Sequence, residues 1–306
     1  MKKTYVKYMI AVLLTGFMVT SCDKYLDIEP RQEISAETAI NSGDDVQLLL
    51  ISAYEGIKGT FGTNEGGELW GGGFNYASEL LATTGDVAWV GSFEEQREYN
   101  RKAITTTNLM VRDDWIRAYE VINITNTVLG VLDVVEDADE KQRIEGEAKG
   151  IRGMVYFELA RFWGLPYEAG HTNDQSAVPL ILSATVTIDD VTYPTRSSVE
   201  QVYAQAISDL GDAETMLDGF GGNDGYISTY SASAYLSRIY LQQGRYEEAA
   251  QKADRVIQSG EYALVEDPLD AFNNKGLVSE DVFAIRQTET SNHGESNSGL
   301  STHYAS

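Results

Sequence analysis

The chain has 306 residues, 42% of them hydrophobic and 10% aromatic, and a formal net charge of −24 at neutral pH. That composition can bury one large core or two ordinary ones, which weighs against a disordered chain. The acidity weighs against nucleic acid as a partner, because phosphate binding needs a basic surface, and otherwise says only that the chain repels itself in solution.

Lys2, Lys3 and Lys7, an apolar stretch over residues 9–19 and the small pair Thr20-Ser21 make a secretory signal over residues 1–21. A lasting membrane span would need roughly 20 apolar residues, so processing is the better reading. Val19-Thr20-Ser21-Cys22 follows the lipobox pattern, in which the cysteine sulfur receives a diacylglycerol. The alternative is an ordinary leader with an incidental cysteine, but Cys22 is the one cysteine in the chain and has no disulfide partner to find. Lipidation of Cys22 would anchor the chain firmly. Loss of the three leader lysines takes the formal charge from −24 to −27. Residues 22–35 are polar and proline-interrupted, which suits a tether, and residues 36–306 form the folded body.

A helix is predicted from Asp44 or Asp45, with Val46, Leu49, Leu50, Ala53, Tyr54 and Ile57 at helical spacing. Residues 59–76 are glycine-rich but carry Phe61, Trp70, Phe74 and Tyr76, so they are predicted as a loop with aromatic cargo. No nucleotide cradle is formed there, since neither Gly-Lys-Ser/Thr nor G-x-G-x-x-G follows. From Asp113 two apolar stripes run along one helix, the first through Val121, Ile124, Val128, Val131 and Val135, the second through Trp115, Tyr119, Ile122 and Leu129. Such a helix packs between neighbours, and Asn123 and Asn126 on its faces must find partners. "EDADEKQR" is read as an acidic connector without the spacing of a calcium loop.

The next helix, 143–163, carries Ala148, Ile151, Val155, Leu159 and Phe162 on one side and stops at Gly164 before Pro166. Residues 165–195 are loop-like, with a short strand-like alternation at 185–191. Ser197 and Glu200 are predicted to cap a helix over 197–217. Two helices follow, 231–243 and 245–259, where Leu236, Tyr240, Gly244, Tyr246 and Ala249 fall at tetratricopeptide-repeat spacings. Small residues there let the helices approach while tyrosine fills the groove between turns. Ser237 and Glu261 depart from that pattern. The fold class is mainly α, a tetratricopeptide-like helical repeat scaffold with long decorated loops, whose repeats need neighbours to complete their core.

Six segments in order resemble one family: "SCDKYLDIEP", "WIRAYEVINITNTVL", "EGEAKGIRGMVYFELARFWGLPY", "AVPLIL", "YPTRSSVEQVYAQAISDLGDAE" and "ASAYLSRIYLQQGRYEEAAQKADRVIQSGEYAL". The family is the SusD/RagB type of outer-membrane nutrient-binding lipoproteins. The resemblance implies a lipid-anchored, surface-exposed protein of the outer membrane. It would capture oligosaccharide or polysaccharide for a SusC-like TonB-dependent transporter, without catalysis. Family members are longer, with a C-terminal part that shares in the ligand surface and is missing from these residues or lies beyond them.

Sugar-binding surfaces combine aromatic platforms with amides and carboxylates that take hydroxyl protons. The densest such mixture is Trp70, Phe74, Tyr76, Glu79, Asp86, Trp89, Phe93 and Tyr99, with Trp89 the foremost stacking candidate. The same aromatics also suit core packing under the loop. No G-x-S-x-G elbow, H-E-x-x-H pair or Cys-His arrangement is present. His171, His293 and His303 lie far apart, so no metal and no cofactor is expected. A glycan-processing enzyme and a repeat-type protein adaptor are the alternatives, and the loop aromatics weigh against the adaptor.

Overall fold

The computed structural model describes residues 40–59, 69–82, 87–221, 225–272 and 276–286. The leader, Cys22, the tether, Asp86 and the polar stretch after Arg286 lie outside them. Among the described residues there are eight α-helices and no strand: α1 (Gly43–Lys58), α2 (Gly73–Leu81), α3 (Glu94–Arg101), α4 (Leu109–Gly130), α5 (Ala138–Trp163), α6 (Val199–Met216), α7 (Thr229–Gln242) and α8 (Tyr246–Gln258). None of them is long and apolar enough to cross a membrane.

Capping explains where several helices begin. Ser42 accepts the Asp45 N–H at 3.3 Å, and Asp44 and Asp45 meet the positive end of α1. Val46, Leu50, Ala53 and Ile57 are then fully buried, as their spacing predicts. α5 starts earlier than expected. Asp137 accepts the Glu140 N–H at 2.8 Å, so most of the acidic stretch read as a connector is the first turns of a helix, where carboxylates are favoured. The cap of α6 lies one residue later than predicted: Ser198 and Gln201 form the reciprocal box, while Ser197 pairs through its backbone with Ala177 and Val178.

The residues around 70 also depart from expectation. Gly72 takes φ +146°, which side-chain-bearing residues avoid, and this turn launches α2, so Phe74 and Tyr76 sit on a helix rather than in a loop.

α5 is the central element, packed against α1, α4, α6 and α7. It carries glycines at 146, 150 and 153, each of which lowers helix propensity by about 1 kcal/mol relative to alanine. Their role is close approach. A Cβ at Gly146 would lie 2.9 Å from the Leu217 side chain, at Gly150 2.8 Å from Ile227, and at Gly153 2.9 Å from Leu210 and 3.0 Å from the Ala206 carbonyl. Arg152, on the same helix, reaches Asp209 of α6 and the Asn126 amide oxygen of α4 at 2.8 Å.

In the α7–α8 hairpin Leu236 and Ala249 are buried, and Ser237, where the repeat pattern favours glycine, donates to the Ala249 carbonyl at 2.8 Å. Tyr240 is half-buried under the Arg245 guanidinium, 4.2 Å from its ring centroid. Tyr246 is 69% exposed and fills no groove.

The segment between α5 and α6 contains no strand. Residues 185–191, read as strand-like, include a 3-10 turn at Ile188–Asp190, and one isolated bridge joins Ser176 to Ser198. The segment is held by side chains. Tyr119 donates to the Pro179 carbonyl at 2.7 Å, and Tyr156 donates to the Ile181 carbonyl and accepts its N–H, both at 2.8 Å. Asn126 donates to the Ile181 and Ser183 carbonyls at 2.9 and 3.1 Å. Asn123 donates to the Thr185 carbonyl at 3.0 Å and accepts its N–H at 2.7 Å. The two asparagines therefore find the partners that burial demands.

Candidate functional site

Where α2, α3, the start of α4 and the end of α5 converge, they enclose a half-open cleft of about 180 Å³. Its walls are Phe74, Ala77 and Leu81 from α2, Tyr99 and Ile104 from α3 and its exit, Val111 and Asp114 from α4, and Phe162 and Trp163 from α5. Phe74 stacks on Phe162 with ring centroids 4.9 Å apart and planes within 12°, and meets Trp163 edge to face at 6.4 Å. The lining is thus aromatic and aliphatic, with one carboxylate. Asp114 is almost wholly buried. Burial, reinforced by that carboxylate, pushes the Tyr99 hydroxyl well above its ordinary range, so Tyr99 stays neutral.

The predicted residues divide by environment. Phe74, Tyr76 and Tyr99 are buried, and the Tyr76 hydroxyl lies 3.6 Å from the Met110 sulfur. Trp70 is half-buried, donates its indole N–H to the Tyr235 hydroxyl at 2.7 Å and meets Phe74 edge to face. Of the predicted residues that are described, only Phe74 and Tyr99 line the cleft. Glu79 projects from α2 into solvent.

Trp89 and Phe93 flank a short turn ahead of α3. The Trp89 backbone N–H donates to the Asn100 side chain at 3.2 Å, and its indole N–H donates to the Phe93 carbonyl at 3.1 Å. The two rings lie 6.4 Å apart. The indole also covers Gly91, where a Cβ would stand 2.3 Å from a ring carbon, and it packs against the small cluster of Tyr76, Leu80, Tyr99 and Met110. Phe93 is 44% exposed and Val90 97%. Arg97 fixes the turn by donating to the Ser92 carbonyl at 3.0 Å. From α3, Glu98 accepts from the Thr105 N–H and the Asn108 amide beyond the helix, which hold its carboxyl below the usual range.

The cleft residues absent from the predicted set are Ile104, Val111, Asp114, Phe162 and Trp163, along with Ala77 and Leu81. The consecutive aromatics 162 and 163 at a helix end were the available signal, since two adjacent helix positions cannot both face the core squarely. No group of three or more His, Cys, Asp or Glu side chains able to hold a metal occurs among the described residues.

An all-α repeat scaffold with an aromatic cleft and a long side-chain-pinned loop is the class that this geometry defines. The SusD-like family described as "Starch-binding associating with outer membrane" matches residues 24–241, more than half of the chain, and the chain belongs to that family. SusD-like protein P2 of Formosa agariphila is 24% identical over 255 residues, covering 83% of this chain and 46% of its own length. The chain spans about half the length of the relatives it matches. Among solved structures, a SusD superfamily protein from Bacteroides thetaiotaomicron is similar with a TM-score of 0.68 and 27% identity, over 82% of this chain and 54% of that one. A SusD-like carbohydrate binding protein from Bacteroides vulgatus is similar with a TM-score of 0.64 and 25% identity, over 74% and 47%.

Proposed function

We propose that this protein captures oligosaccharide or polysaccharide nutrients at the outer surface of the cell. It is held there by lipid on Cys22 and passes its cargo to a SusC-like TonB-dependent transporter. The observation that carries this reading is the family match over residues 24–241, with its description as starch-binding and outer-membrane-associating. The likeness to a carbohydrate binding protein supports it. Phe93 and the edge of Trp89 offer apolar surface to a sugar ring, and Glu79 and Asp86 are the acceptors assigned to its hydroxyls. Tyr76 and Tyr99 belong to the cluster on which Trp89 packs, and Trp70 and Phe74 pack with the main core.

The reading is capture rather than cleavage. A glycosidase needs two carboxylates facing each other across a substrate, whereas the cleft lining carries one, Asp114, and the other buried carboxylates among the described residues are engaged with cations: Glu147 with Arg143, Glu158 with Arg161, Asp209 with Arg152, and Glu214 with Lys252. Affinity is modest, because a shallow surface must still offset the freedom lost on binding.

The test is electrophoresis of the full chain through gels containing single polysaccharides, with released sugars assayed, beside Trp89→Ala and Phe93→Ala. Retardation by one polysaccharide, lost in the variants and without sugar release, supports capture at this turn. Shorter sugars appearing with time would overturn it in favour of an enzyme.

A further inference from the structure

On the surface where α5 and α7 meet, one buried carboxylate stands between two arginines. Glu158 is almost wholly buried. Arg161 donates through Nη1 to its Oε2, and Arg238 donates through Nη2 to its Oε1 at 3.4 Å. Aromatic rings set both guanidinium groups. Arg161 lies 5.6 Å from the Phe157 centroid and 5.5 Å from Phe162, and Arg238 lies 5.8 Å from Phe157 and 5.0 Å from Tyr235.

One carboxylate facing two cations recurs at Glu94, which is exposed, and at Glu214, where Arg255 also reaches Asp218, whereas other arginines meet one carboxylate or more. Arg152 meets one carboxylate, Asp209, Arg245 meets Glu248, and Arg143 is within reach of both Glu140 and Glu147. At Glu158 a single carboxylate serves two guanidinium groups, which leaves a local charge of +1 on a chain of −24. A structural role for Glu158 needs only one of them. Each guanidinium carries five N–H donors in a planar fork, and Glu158 takes one edge. The Arg238 side chain remains 50% exposed and that of Arg161 27%.

The pair also adjoins the cleft, because the Phe162 ring that carries Arg161 is the ring that stacks on Phe74 in the cleft wall. We propose that Arg161 and Arg238 form an anion-reading pair beside the aromatic cleft, which makes this protein select glycans bearing carboxylate or sulfate groups over neutral ones. The inference rests on the glycan-capture reading above and names the class of glycan. Planar guanidinium groups suit both oxyanions through charge-assisted, two-point hydrogen bonds, and the neighbouring rings supply apolar contact for the sugar that carries them.

The experiment uses the full chain in gels containing amylopectin (neutral), polygalacturonate (carboxylate) or carrageenan (sulfate), beside Arg238→Gln, Arg161→Gln and Arg238→Lys, with circular dichroism to confirm folding. Arg238→Gln is the principal variant, because Arg161 still neutralises Glu158. The expected result is retardation by an anionic polysaccharide, weakened about tenfold in Arg238→Gln, partly restored in Arg238→Lys and suppressed by salt. Whether polygalacturonate or carrageenan is the retarding arm identifies carboxylate or sulfate as the group read. Retardation by amylopectin alone, or by an anionic glycan equally in both glutamine variants, overturns the anion-reading pair and leaves glycan capture standing. Retardation by none of the three, nor by any other neutral glucan tested, overturns the capture reading with it.

Discussion

Arg152 of α5 and Asp209 of α6 form a two-pronged ion pair, Nε to Oδ2 at 2.8 Å and Nη2 to Oδ1 at 2.7 Å, with both side chains buried. The remaining Nη1 reaches Asn126 at 2.8 Å, so one guanidinium ties three helices. Removing one partner strands a charge that water cannot reach. Asp209→Ala is expected to cost about 3–5 kcal/mol, read as a lower urea midpoint at unchanged slope. The double variant Arg152→Met with Asp209→Leu should lose much less, since no charge is then left alone.

The glycine face of α5 predicts the opposite of helix propensity. On an isolated helix Gly153→Ala would stabilise by about 1 kcal/mol. Here the new methyl group meets the Leu210 side chain and a backbone carbonyl of α6. Overpacking of this kind costs about 1–3 kcal/mol, so thermal unfolding should move to lower temperature, and Gly153→Val should move it further. A higher melting temperature in the alanine variant would contradict the close approach described here.

Alkaline pH should unfold the chain cooperatively. Burial pushes the hydroxyls of Tyr156 and Tyr235 up to about 12, while an unfolded tyrosine titrates near 10. The folded state therefore holds protons that the unfolded state gives up, and their contribution is whole below pH ~10 and lost as pH climbs towards ~12. It amounts to roughly 3 kcal/mol for each such tyrosine. Absorbance at the phenolate band and circular dichroism should change together in that interval. Phenolate appearing while the helical signal stays intact would contradict the burial.

Asn123 and Asn126 should govern the segment between α5 and α6. Asn123→Ala leaves the Thr185 N–H and carbonyl without their partner, a loss of about 1–3 kcal/mol for each group that stays buried. Limited proteolysis should then cut near residues 182–190 at concentrations that spare the parent chain, while α4 and α5 remain protected.

The helices were legible where apolar residues recur every three or four positions. α1, α4, α5, α6 and the α7–α8 pair all lie near their expected places. α3 was not, because "EEQREYNR" is polar apart from Tyr99 and buries only that tyrosine and Gln96. α2 was obscured by the glycines before it. The candidate site was legible in half: residues 70–99 announced themselves by aromatic density. Phe162, Trp163 and Asp114 come from helices far along the chain, and only folding sets them against Phe74 and Tyr99. Density also cannot separate a ring that faces solvent, as Phe93 does, from one sealed beneath it, as Tyr76 is.

The carbonyls that α4 and α5 capture belong to Pro179, Ile181, Ser183 and Thr185, every second residue of one run. In a sheet that rhythm is imposed by a neighbouring strand. Here tyrosine and asparagine side chains of two helices act as the neighbour, so the run keeps a two-sided character without belonging to any ladder. Leu182, between two of them, and Val186, just past the last, are about half exposed, while Leu180 packs against the core. Insertion of a single residue between 179 and 185 would exchange the two sides, whereas insertion of two could preserve them; tolerated length changes in this run should therefore come in pairs.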